Sequence, residues 1–444
     1  MLLATIAYSQ EVAARADSVM RASEANGFSG VVLLAKNGAI VFEKGYGLAD
    51  RAGRIPFTPE TVVQIGSNTK DFTAVSILQL KERGRLRLDD RISKYFPSAP
   101  ADKRNITIGH LLNHEAGYPL GLGGDFEKVT RGELIDAAMK ATLLFEPGSR
   151  SSYSNTGYSL LAAIIEIVSG STYDEYVRDN ILKPLGLTHT GFHLPGFSPR
   201  DLAHGYDRAG ADAGTMLSKP HAADGPYWNL RGNGGMLSTV SDMHAFYTAL
   251  FSTEKLLKAE TRNIRFDPSQ PVGLAGSDLI NFFLYERDPR SGAEMIIAST
   301  SQNVKAPQIR EQIAPLVGLP SMNGDRGAGA ISRAAGRAVD EGAAKVIRDL
   351  IAAINAGDRT ELTVFIRSHF AQVAGAPSAE ERAERMEALH DNLGTLDLVS
   401  MSVVEDAVQA VVKSAKEGEA LFIVGMKAQS PWRITRLGVQ VGGG

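Results

Sequence analysis

Cysteine is absent from all 444 residues, which excludes disulfides, a thiol nucleophile and cysteine-ligated zinc but leaves the compartment open. No excess of one charge is present either: a formal net charge of −3 gives no basic footprint, so nucleic acid is not an expected partner. No apolar run approaches membrane-spanning length, so no membrane span is expected. The nine histidines are scattered without an HExxH-like pairing, and neither a metal nor another cofactor is expected. What is present is ample apolar content, 43% against 22% charged, enough for a large core split into two or three domains.

The most informative stretch is QIGSNTKDFTAVSILQLKERGR, from Gln64 to Arg85. A strand-like lead-in ends at Gly66. Phe72, Val75 and Leu78 then recur at helical spacing down to Gly84, a helix stop. Ser67 therefore opens a helix, with Lys70 one turn later on the same face. Free N–H groups at that terminus favour an oxyanion beside Ser67, and they oppose a proton on Lys70 if the lysine is buried. A weak nucleophile beside a potential base is what serine acyl transfer requires. The structural alternative is a serine N-cap followed by a solvated lysine, and four residues alone do not decide between them.

Upstream, MLLATIAY is either the remnant of an export signal or an extension of the next helix, which the apolar periodicity places from Gln10 to Asn26. A periplasmic or secreted location is the expectation, with a cytoplasmic one as the alternative. From Ser29 two β-branched runs flank Asn37-Gly38, a hairpin turn signal. Ile106 to Asn113 starts a further helix, and a glycine-rich loop follows it. His114 and Glu115 in that loop read as loop-ordering polar residues rather than catalytic groups, because no metal ligand or acid partner sits at a useful spacing.

A second chemical candidate is PGSRSSYSNTGYSLLAAIIEIVSG, where an apolar helix is closed by Gly170. Tyr153 and Asn155 lie just before it, able to point into a cleft. They can be a packed ring and a cap. Beside Ser67 and Lys70, however, they supply a phenol that relays a proton and an amide that orients a carbonyl.

SNTK at 67–70, YSN at 153–155 and RGNGGMLSTVSDM at 231–243 together resemble the serine β-lactamase and penicillin-binding-protein superfamily, in the branch of class C β-lactamases, D-Ala-D-Ala carboxypeptidases, D-aminopeptidases and β-lactamase-like esterases. ITIGHLLNHEAG, FEPGSRSSYSNTGYSLLAAIIE and YVRDNILKPLGLTHTGF follow the family's order, and the likeness covers roughly Gly27 to Leu319. It implies an α/β (α+β) fold, with an antiparallel sheet, a helical subdomain and the nucleophile at a helix start between them. It makes Ser67 the acylated nucleophile and Lys70 the partner that deprotonates or electrostatically activates it. Tyr153 becomes the proton shuttle to the leaving group, and Asn155 the holder of substrate and lysine. Whether lysine or tyrosine is the base stays open. The oxyanion is expected on the Ser67 N–H and a second N–H from a sheet-edge strand.

That edge strand departs from the pattern. Relatives carry Lys-Thr-Gly or His-x-Gly there; the best match here is Leu274-Ala275-Gly276, without the basic residue. These three and Gly66 are the expected substrate-binding positions, with His221 or Arg231 as alternative cations. The stretch from Leu256 to Gly273 is short and shows no strand pattern. Gly232 to Gly235 read as close backbone packing. Losing a charge-assisted contact costs about 1.5–3 kcal/mol, which disfavours penicillin hydrolysis and leaves neutral esters unaffected.

Residues 1–318 are thus expected to form a serine hydrolase domain and 319–337 a linker. Residues 338–444 carry three helical patterns followed by four strand-like runs, an order similar to the NTF2-like or SnoaL-like cone. His369 and His390 there read as structural, and the module as a pairing element capable of a homodimer. The expected activity is hydrolysis of small-molecule or peptide-like acyl substrates, a carboxylesterase before a β-lactamase or D-alanyl peptidase. The remaining alternative is a catalytically reduced binding or scaffold protein.

Overall fold

A computed structural model describes residues 2–193, 195–206, 210–219, 221–277, 281–300, 306–321, 339–371, 378–404, 407–416, 418–426 and 433–441. The chain divides into two compact units, Met1–Pro320 and Ser321–Gly444. The expected linker lies, apart from residues 319–321, outside the described residues.

The first unit is organised on a five-stranded antiparallel sheet. In spatial order its strands are Ala39–Tyr46, Gly30–Lys36, Ala293–Ser299, Phe282–Asp288 and Val272–Ser277. Asn37 and Gly38 close the first hairpin with φ of 52° and 79°, the left-handed pair that a two-residue turn with matching twist demands. Gly30–Lys36 is buried on both faces, which explains its continuous apolar run. Val31, Leu33 and Ala35 enter the large core under the helical layer, while Val32 and Leu34 face the core lined by the terminal helices. Those helices are Leu2–Ala25 and Ala306–Val317. The first begins eight residues before the periodicity at Gln10 predicts, because the Tyr8 hydroxyl donates to the Leu316 carbonyl at 3.1 Å and ties this extra length to the second.

Two helices carry the chemistry-bearing motifs. Thr69–Glu82 continues directly from a 3-10 turn at Gly66–Asn68 and is buried over nearly its whole length. Asn155–Ser169 is capped by Ser154, whose hydroxyl accepts from the Gly157 N–H, and ends at Gly170 with φ of 78°. Both pack in the same core. No strand forms between Leu256 and Pro271; a single turn of helix, Ala259–Arg262, occupies part of that stretch.

The second unit has helices Glu341–Ala356, Arg359–His369 and Ala379–Leu393, then a four-stranded antiparallel meander from Leu396 to Val441. Its core runs from Ile347 and Leu350 to Phe422 and Val424. His369 stacks on Phe365 at 4.3 Å, and His390 lies against Gly357. Among the described residues no helix is long and apolar enough to cross a membrane.

Candidate active site

Ser67 sits in the 3-10 turn with its side chain half-buried. Gly66 adopts φ of 51°, so the chain can reverse there and feed the helix without a Cβ clash. The turn is held from three sides. Val63–Gln64 pairs with Leu237–Ser238, the Ile65 N–H donates to the Met236 carbonyl at 2.9 Å, and the Thr69 hydroxyl donates to the Gly66 carbonyl at 2.7 Å. This pairing brings the Gly232–Gly235 segment beside the helix. The close packing expected of that segment is found: a Cβ on Gly232 would lie 2.7 Å from the Tyr158 carbonyl oxygen.

Lys70 is 5% exposed. Its Nζ donates to Asn155 Oδ1 at 2.8 Å and to the Asn233 carbonyl at 2.6 Å, and lies 3.2 Å from Ser67 Oγ. Burial pushes its pKa down to about 7, against the opposing charges of Asp71 and Asp125. As a free amine it can give its two hydrogens to the two fixed oxygen acceptors, which leaves its lone pair toward the Ser67 hydroxyl. From the other side the Tyr153 hydroxyl donates to Ser67 Oγ at 2.8 Å. Burial of that phenol raises its pKa, so Tyr153 rests protonated, able to give a proton.

His114 is closer to this centre than a loop-ordering residue needs to be. Its ring lies 4.6 Å from Tyr153 and 5.1 Å from Tyr158, and its Nδ1 accepts the Ser154 N–H at 3.2 Å. Burial first, then the charges of Arg265 and Lys70, lower its pKa to about 4, so it stays neutral and holds the Tyr153 ring in place. Glu115 acts through its backbone, which accepts from the Gly148 N–H. Beneath Lys70, Asp71 is fully buried, accepts from the Tyr247 hydroxyl at 2.9 Å and has its pKa pushed up to about 6 by burial.

The sheet-edge strand Val272–Ser277 completes the cleft. A Cβ on Gly276 would lie 2.2 Å from the Ile65 carbonyl oxygen and 2.7 Å from the Ser67 nitrogen, so this strand passes directly over the nucleophile turn. Leu274, two residues earlier on the same face, packs on the main core opposite Tyr285. Ala275 pairs with Leu284 on the other face, so its side chain points away from Ser67 and only its backbone can serve a substrate.

Neither alternative cation reaches the cleft. Arg231 is buried under Trp228, bound to the Pro226 carbonyl and 3.7 Å from Glu166, so its charge is already neutralised. His221 packs against His193 and Tyr227. Three groups of the site escape sequence reasoning: the Asn233 carbonyl, the Asp71–Tyr247 pair and Arg265. The first is a backbone atom, the second a contact across 176 positions, and the third lies in a stretch without periodicity.

The Beta-lactamase family profile matches residues 16–290. The chain belongs to this family of serine hydrolases. Putative penicillin-binding protein PbpX of Bacillus subtilis (strain 168) is 31% identical over 310 residues, covering 66% of this chain and 75% of that protein. Penicillin-binding protein 4* of the same strain is 29% identical over 61% of this chain, which spans only 62% of that relative's length. The octameric penicillin-binding protein homologue from Pyrococcus abyssi shares the fold at a TM-score of 0.59 and 22% identity, over 94% of this chain and 91% of its own. The family's antiparallel sheet with helices is therefore the fold of the first unit.

Proposed function

We propose that the protein forms an acyl-enzyme on Ser67 and hydrolyses ester or amide acyl substrates, carboxylic esters first. The observation that carries this reading is the convergence on Ser67 Oγ of a buried amine and a protonated phenol, although 86 positions separate Ser67 from Tyr153. Free Lys70 takes the Ser67 proton as Oγ attacks the acyl carbon. Tyr153 gives its proton to the departing oxygen or nitrogen and is reprotonated by Lys70, which carries the proton taken from Ser67. Water then repeats the sequence on the acyl-enzyme and returns the acid. The Ser67 N–H and an N–H of the edge strand hold the oxyanion. Asn155 fixes the lysine. A scaffold protein would have no chemical need of this set.

Leu274 supports the preference for esters. It gives an acyl or aryl group apolar contact, and the edge strand offers no charge to the carboxylate of a β-lactam. Intact-mass spectrometry after exposure to short-chain p-nitrophenyl esters, cephalosporins and D-alanyl peptides tests the substrate class. An acyl adduct from the esters that is absent in Ser67→Ala is expected; adducts from β-lactams alone would overturn the ester preference.

The pH profile follows from the two shifts. A lysine depressed to about 7 is a free base only above that pH, so kcat/KM for p-nitrophenyl acetate should rise as pH passes through about 7. It should fall again only above the ordinary phenol range, where Tyr153, raised by burial, loses its proton. A profile flat from about pH 5 to 9 would remove Lys70 as the base.

For the second unit we propose an NTF2-like cone that pairs copies of the chain. Its three helices packed against one antiparallel meander support this reading. Light scattering of the full chain tests it, and a monomer at all concentrations would end it.

A further inference from the structure

Asp71 is a buried acid that the mechanism above does not use. It follows Lys70 directly on the helix Thr69–Glu82, so the two α-carbons are about 3.8 Å apart. One helical step turns successive side chains by about 100°. Lys70 thus faces the Ser67 hydroxyl, while Asp71 reaches the helix Val240–Ser252, where its Oδ2 accepts from the Tyr247 hydroxyl at 2.9 Å. The anchor is rigid: the Tyr247 ring is fully buried and stacks on Tyr285 at 3.7 Å, and beside it Phe246 stacks on Phe72 at 4.0 Å. Burying a carboxylate is costly, and an apolar side chain would fill this place without that cost.

The charge acts on the groups that face it. Arg265, from the connection before the edge strand, favours the ionised acid; Tyr153, Tyr158, Tyr247 and Tyr285 are held protonated in part by it. Lys70 faces Asp71 and Asp125 as opposite charges, with His114 near by; its contacts with Asn155 and Asn233 are to neutral oxygens. Asp125 is exposed, where water and salt screen it, whereas Asp71 and Lys70 share the interior. We propose that Asp71 is a positioning residue of this site: its carboxylate, anchored by Tyr247, is the buried negative charge against which Lys70 stays basic enough to take the Ser67 proton. The kinetic part of this inference rests on the acyl-enzyme reading of Ser67. Asp71, raised by burial to about 6, ionises before Lys70, near 7, gives up its proton. Lys70 therefore titrates beside that charge, and removing the charge lowers its midpoint.

The test is an NMR titration of the full chain labelled with 13C at lysine Cε, the Lys70 signal being the one absent from Lys70→Met. Asp71→Asn should lower the midpoint by about one pH unit. Tyr247→Phe, which keeps the stacked ring, should move it the same way by less, because Asp71 without that hydrogen bond holds its proton to higher pH; it decides alone if Asp71→Asn does not fold. Asp125→Asn should move it least. A midpoint that stays or rises in the Asp71 and Tyr247 variants, or moves most in the Asp125 variant, overturns the proposal. The acid limb of kcat/KM for p-nitrophenyl acetate should shift with the signal; a rate lowered by one factor at every pH, with the midpoint unmoved, marks a merely structural acid and also overturns it. If no ester is hydrolysed while the midpoint moves, the acyl-enzyme reading fails and the coupling of Asp71 to Lys70 stands.

Discussion

Ser67→Ala is expected to lower p-nitrophenyl acetate hydrolysis on the order of a thousandfold or more, because no other group takes over the covalent step. The fold should survive. Ser67 Oγ accepts from Tyr153 and contacts Lys70 at a half-buried position, and its loss leaves Tyr153 with solvent and Lys70 with Asn155 and the Asn233 carbonyl. Lys70→Met should give a comparable loss of rate, since it removes the only amine within reach of Oγ among the described residues. Tyr153→Phe should cost less for a p-nitrophenyl ester, whose departing phenolate needs little protonation, and more for an alkyl ester. The measurement is kcat/KM above the spontaneous rate. Wild-type turnover in the serine variant would rule the mechanism out.

Gly276→Val should damage both stability and catalysis. The new Cβ would lie 2.2 Å from one backbone atom, the Ile65 carbonyl oxygen, and 2.7 Å from another, the Ser67 nitrogen, and neither can rotate away as a side chain would. The strand edge must shift, opening the gap between the two N–H groups proposed to hold the oxyanion. A displacement near 1 Å costs about 100-fold in rate, and overpacking of this kind costs about 1–3 kcal/mol. Gly273→Val is the matched control on the same strand. Its Cβ would meet nothing closer than Glu286 at 3.9 Å, in an exposed position where a β-branched residue suits the strand, so its effect should stay within about 0.5 kcal/mol. Thermal denaturation and ester kinetics on the two variants separate the cases. Equal behaviour of both would show that the strand is not seated on the nucleophile turn.

The amino-acid sequence alone determined the local elements and the kind of chemistry. Asn37-Gly38 dictates a turn because few residues accept two left-handed positions in succession, and Gly170 ends its helix for a similar reason. Ser67 and Lys70 share a helix face through periodicity, and Tyr153 and Asn155 precede a helix whose apolar pattern is unmistakable. The family's order of motifs adds what spacing cannot. Ala275 could be placed on the wrong face only by treating a triplet as a unit; strict alternation along a strand separates it from Leu274 and Gly276.

Only the tertiary structure decided which charges are free and which are spent. Arg231, inside a recognisable motif, is bound to Glu166 and a backbone carbonyl, while Arg265, in a stretch with no pattern, lies 5.9 Å from the Tyr158 ring. It also decided the protonation states, setting Lys70 near 7 and keeping Tyr153 protonated. The reason is physical. Helix and turn signals are written in neighbouring residues, but desolvation and charge pairing depend on what the rest of the chain brings within a few ångströms, and no short stretch of sequence carries that information.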